Sequence, residues 1–174
     1  MRKIAVPTLC ICICLSVLLS CKNQANEKTT AGKQLLSEQE KETAKKEISA
    51  RIVEIIKGAK NLNADSALKP YANDPHFKIV NPDGSVMDYA TMKQSQTAAF
   101  ATMSSLNFRT VKEEFSFLTD ELVVCTWIGN NEFKLKTGQL FKTDPYVGSM
   151  TFRKKDGAWE IIYAHETGNS IEVK

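Results

Sequence analysis

The chain has 174 residues, 43% of them hydrophobic and 25% charged, with a formal charge of +3. That balance fits one ordinary globular domain and excludes a wholly disordered or membrane-embedded chain. The basic residues neither cluster nor interleave with aromatics, which excludes a nucleic-acid surface.

In chain order, Arg2 and Lys3 precede an apolar run from Ile4 to Leu19 and a small residue, Ser20, the three parts of an export signal. The run is about 16 residues, short for a bilayer span. Leu18-Leu19-Ser20-Cys21 resembles the lipobox of bacterial lipoproteins. That resemblance implies removal of residues 1–20, lipidation of Cys21 by diacylglycerol and an acyl chain such as palmitate, and a membrane anchor in the bacterial cell envelope. Lys22 in place of a retaining aspartate favours the outer membrane. Residues 21–36 are polar and read as a flexible tether. The domain then occupies 37–174. Cys10, Cys12 and Cys14 leave with the signal, so Cys125 is alone in the domain, within an apolar run that suits a buried small hydrophobe. No cysteine and histidine spacing suits zinc, and neither a metal nor a cofactor is expected.

Ser37-Glu38-Gln39-Glu40 has the form of a capping box. Ala44, Ile48, Ile52, Ile55 and Ala59 continue from it at helical spacing, predicting a long helix with one apolar stripe. A short second helix is expected through Leu68, capped by Asp65. A strand over His76 to Val80, a turn at Asn81-Pro82-Asp83-Gly84, and a return strand over Ser85 to Met87 follow. Met92, Gln96, Ala99 and Met103 share a face of a third helix from about Tyr89.

After Ser105 the pattern alternates. Leu106, Phe108 and Thr110 run in one phase, and Val111, Glu113, Phe115 and Phe117 in the other, a slip that predicts a β-bulge near Val111. A second long strand runs from Leu122 to about Leu135, with an interruption at Gly129-Asn130-Asn131. Residues 136–145 read as loop. The C-terminal hairpin pairs Val147–Arg153 with Ala158–His165 across Asp156-Gly157. Strict alternation puts Trp159, Ile161 and Tyr163 on one face and Ile162, Ala164 and Glu166 on the other, with His165 at the far end. The order of elements predicts an α+β fold, with helices on one face of a curved antiparallel sheet wrapped around the first helix, and a hollow between them.

The short helix before Tyr71-Ala72-Asn73-Asp74, then Pro82-Asp83-Gly84, a third helix, and the ending Phe152-Arg153-Lys154-Lys155-Asp156-Gly157-Ala158-Trp159-Glu160-Ile161-Ile162 through His165 resemble the nuclear transport factor 2-like superfamily, including its SnoaL-like and ketosteroid-isomerase-like branches. The resemblance spans about Ser37 to Ser170. It implies a cone-shaped α+β barrel, a pocket for a small molecule, and frequently a homodimer through the convex sheet. It does not carry over the isomerase base, because Asn81 stands where that family places an aspartate.

Tyr71, Phe77, Met92, Phe100, Phe115, Trp127, Met150 and Phe152 are the side chains expected to shape such a pocket, or to fill its core. His165 is the candidate acid–base group, oriented by Asp65; the alternative is a histidine holding a backbone group or a helix-cap carboxylate. Three functions follow: an exported pocket protein for an apolar or amphipathic ligand, a cofactor-independent dehydratase or isomerase using His165, and a dimeric interaction module.

Overall fold

A computed structural model describes residues 36–173. The expected signal, Cys21 and nearly all of the tether lie outside the described residues. Three helices and seven strands follow in the order α1 (Glu38–Lys60), α2 (Ala64–Leu68), β1 (Lys78–Val80), β2 (Val86–Met87), α3 (Tyr89–Thr102), β3 (Met103–Phe117), β4 (Leu122–Leu135), β5 (Leu140–Lys155), β6 (Ala158–Thr167) and β7 (Ser170–Val173). This is the α+β arrangement expected from sequence, a curved, open sheet with helices packed on it.

The capping box at the start of α1 forms as expected. The Glu40 amide donates to the Ser37 hydroxyl, and the Ser37 amide donates to the Glu40 carboxylate at 2.8 Å. Each satisfies a helix-end donor that would otherwise be orphaned. Ala44, Ile48, Ile52 and Ala59 are buried along one stripe, which lays the helix on the sheet. The cap of α2 is Asn63, not Asp65: its side-chain oxygen accepts from the Ser66 amide at 2.8 Å. Asp65 falls one turn position too late to reach a free amide and instead pairs with Lys93 on α3 at 2.7 Å.

The strand order is β2-β1-β6-β5-β4-β3, with β7 also pairing β5. Only β1 and β6 run parallel among the named pairs; the remaining ladders are antiparallel. The bulge expected near Val111 is there: Thr110 pairs with Gly129 and Lys112 with Ile128, leaving Val111 unopposed. Two sequence readings are corrected. Residues 140–145 are strand, not loop, because β5 pairs there with β4 on one side and β7 on the other, and Phe141 stacks on Phe133 at 5.0 Å. Pro145 is tolerated because Asp144 and Pro145 together oppose Asn130 at a ladder irregularity, where no amide is needed. β4 is one strand through Gly129-Asn130-Asn131, and the interruption expected there is a shift of its ladder with β5 between Gly129 and Asn131. β7, beyond the hairpin, was not expected at all; its residues are exposed and leave no periodic signal.

The core between α1 and the sheet's inner face gathers Ile48, Ile52, Leu68, Phe77, Val123, Cys125, Phe152, Trp159 and Ile161. A smaller cluster of Ala59, Ala64, Ala67, Phe100 and Leu106 seals the end where the three helices meet β3.

Candidate functional site

The sheet's inner face is a set of cross-strand rows. One row pairs Glu113 with Trp127, Trp127 with Gly148, and Gly148 with Glu166. Its neighbour pairs Phe115 with Cys125, Cys125 with Met150, and Met150 with Ala164. In the first row the central residue has no side chain, and the space it leaves is not filled: a methyl group built on Gly148 would meet only the Met150 Cε, at 4.0 Å. A cavity of about 70 Å³ opens there. Its floor is Gly148, Met150 and Trp127, its roof Ile52, Ile55 and Ile56 of α1, and its sides Tyr71, Phe108, Tyr146 and Glu166.

The aromatic wall is rigidly built. Phe108, Trp127 and Tyr146 stand in mutual edge-to-face contact, with centroids 6.0–6.1 Å apart and planes inclined by 64–72°. The Trp127 indole donates to the Thr110 hydroxyl at 3.0 Å, which fixes the ring's orientation. Gly129 lies under that ring, since a methyl group there would stand 2.3 Å from it and 2.4 Å from the Arg109 carbonyl.

The polar end is Glu166 with Tyr146 and Tyr71. Burial pushes the Glu166 carboxyl above the usual carboxylate range, against the opposing pull of the Tyr146 hydroxyl and the charge of His165. Burial also raises both phenols, and the negative charge of Glu166 raises them further, so they stay neutral donors. Among the described residues, no lysine, arginine or histidine lines this cavity.

Glu166 reaches the inner face through a one-residue irregularity. Thr151 pairs with Tyr163 and Phe152 with Ile161, so Ile162 is an extra residue in β6. Upstream of it Trp159 and Ile161 face inward; downstream the phase is reversed, Ala164 and Glu166 face inward, and Tyr163 and His165 are exposed. His165 therefore points to solvent on the outer face. It is neither oriented by Asp65, which is bound to Lys93 on the surface, nor in contact with the cavity.

Of the other side chains singled out in the sequence, Tyr71, Trp127 and Met150 line the cavity. Phe77, Met92 and Phe152 are packed into the main core, Phe115 lies half-buried against it, and Phe100 belongs to the smaller cluster. Sequence reasoning passed over Glu166, Tyr146, Phe108 and Gly148. The usable signal was Gly148 itself, because a glycine inside a strand weakens it and marks a close approach or a space. Cys125 is buried in the row beside the cavity, and burial pushes its thiol up to about 12, which leaves it unreactive. Among the described residues, no group of three or more His, Cys, Asp or Glu is placed to hold a metal ion. No helix among them is long and apolar enough to cross a membrane.

No protein-family model matches the sequence, and neither does any curated protein. Solved structures do match. A nuclear transport factor 2-like superfamily protein from Salmonella enterica serovar Typhimurium LT2 superposes with a TM-score of 0.67 at 15% identity, covering 74% of this chain and 92% of that one. The hexachlorocyclohexane dehydrochlorinase LinA-type3 from Novosphingobium barchaimii LL02 has a TM-score of 0.67 at 9% identity, covering 79% and 94%. LinA Type2, another hexachlorocyclohexane dehydrochlorinase, has 0.69 at 8%, covering 79% and 94%. Identities this low speak to the fold alone. The described domain has the nuclear transport factor 2-like fold, a curved, open sheet with helices packed on it.

Proposed function

We propose that this protein binds a small ligand with an apolar body in the cavity beneath α1. The observation that carries the reading is the Gly148 gap: a strand position at the centre of the inner face that contributes no side chain, bounded by an aromatic wall and one carboxyl group. A core built only for stability would fill that space, since an unfilled void costs the contacts its lining loses. The test is calorimetric titration with benzyl alcohol. Binding with a Kd on the order of millimolar is expected for so small a probe. Gly148→Leu should abolish it; a Cβ there meets nothing nearer than the Met150 Cε at 4.0 Å, and an unchanged melting temperature is the control that the rest of the side chain is accommodated. Equal binding by both proteins would remove the cavity from consideration.

A second reading, proton transfer, passes from His165 to Glu166. It is favoured by a carboxyl group that burial has moved towards neutral titration, the direction a general acid or base requires. Structural neighbours that are named as dehydrochlorinases make elimination a reasonable chemistry to try. Exchange of the α-protons of cyclohexanone in deuterated buffer, followed by NMR, should be catalysed by the wild type and not by Glu166→Gln. No exchange above buffer rate would end this reading.

We propose further that the protein is exported, anchored to the cell envelope through lipid on Cys21, and dimeric through the outer face of the sheet. The lipobox-like Leu18-Leu19-Ser20-Cys21 supports the anchor. The exposed Tyr163 and the half-buried Val124, Ile128 and Val147 on the outer face support the dimer.

A further inference from the structure

The cavity is electrostatically incomplete in a way that names a ligand class. Among the described residues, its only charged lining side chain is Glu166, and the other lining residues are apolar or neutral. The titratable groups against it are Tyr146 from β5, Tyr71 from the segment before β1, and His165 on its own strand, whose ring lies on the opposite face. The roof contributed by α1 is Ile52, Ile55 and Ile56, with nothing to titrate. Glu166 is half-buried among these residues with no lysine or arginine lining the cavity beside it, which is unfavourable for a carboxylate, and a bound cation is a change that would relieve it. The aromatic wall points the same way. Phe108, Trp127 and Tyr146 line one side of the cavity together, and aromatic rings at a lining are groups that favour a positive guest over a negative one. An anion finds the reverse: no basic side chain among the lining residues and a carboxylate that repels it.

We infer that the cavity takes an organic monocation, a primary to quaternary amine, with its charge between Glu166 and the corner formed by Phe108, Trp127 and Tyr146 and its apolar substituents under Ile52, Ile55 and Ile56. This rests on the cavity being a ligand site. The bound cation holds Glu166 ionised, so affinity rises with pH through the elevated titration of the empty protein's carboxyl group. Tyr71 and Tyr146 remain neutral across that range, since burial raises both.

The test is calorimetric titration of the protein with benzylamine, benzyl alcohol and benzoate, which share a body and differ in charge. Benzylammonium should bind at least about tenfold more tightly than benzyl alcohol, with benzoate weakest, and the preference should weaken as pH falls. Glu166→Gln should bring benzylammonium binding down to the level that the same variant shows for benzyl alcohol. If benzyl alcohol or benzoate binds as well as benzylammonium, and Gly148→Leu abolishes that binding, the ligand site stands and the cation is excluded. A preference that survives Glu166→Gln also overturns the inference. If none of the three binds, site and inference fall together.

Discussion

Glu166 carries a linkage that can be measured without knowing any ligand. Its carboxyl titrates above the ordinary glutamate value of 4.5 in the folded protein because burial penalises the charge. Above that ordinary value, and up to the folded one, the native state holds more protons than the unfolded chain, so stability falls as pH rises through this window and the penalty is complete above it. Glu166→Gln removes the penalty. Urea unfolding should show wild type and variant close to equal below the ordinary glutamate value and the variant more stable at neutral pH. A difference that does not change with pH would show that the carboxylate is solvated in the empty cavity. At the same scale, Tyr71, Trp127 and Met150, expected from sequence to shape a pocket, are side chains that line the cavity, and for Trp127 and Met150 the alternation of β4 and β5 makes the inward face readable. It put the polar role on position 165, one residue away from the group that holds the place. A single unopposed residue, Ile162, accounts for that shift, and nothing in Ile161-Ile162-Tyr163 distinguishes a bulge from a regular strand.

Among elements, β4 and β5 decide whether the cavity exists, and two glycines on them act in opposite senses. Gly148 opens space, whereas Gly129 is a contact point with no space to give. Gly129→Ala would push a methyl group into the Trp127 ring and the Arg109 carbonyl. It should destabilise the fold by about 1–3 kcal/mol in chemical denaturation and alter near-UV tryptophan ellipticity as the indole leaves Thr110. An unchanged near-UV spectrum would mean that the wall is held by something other than this stack. Helix α1 was legible in full from its capping box and its stripe of isoleucines, since both signals are local. The bulge at Val111 was legible as well, because there the hydrophobic phase slips in view. The start of β5 was not: Gly138 and Asp144-Pro145 read as breakers, and only pairing with β4 and β7 on both sides makes residues 140–145 strand.

The tertiary structure of residues 36–173 is a domain with its cavity on the concave side of the sheet, and its ligand, its membrane and its partner copy are proposals attached to different surfaces of it. Cys21→Ser should move the protein from the membrane fraction to the soluble fraction and leave the signal uncut, observed as a heavier band on gel electrophoresis. Membrane association that persists would remove the lipid anchor. A dimer through the outer sheet face should sediment at twice the chain mass, and Tyr163→Glu, on that face, should return it to monomer, since a buried like-charge pair at a two-fold interface is strongly unfavourable.

By itself the sequence determined the class of fold, the long helix and its buried stripe, the hairpin at Asp156-Gly157 and the solitary buried cysteine, because each is written in spacings of a few residues. Only the tertiary structure decided which carboxyl group enters the interior. That choice depends on register, and register is a relation between strands: the same residues in β6 present His165 or Glu166 to the cavity according to whether Ile162 finds a partner in β5.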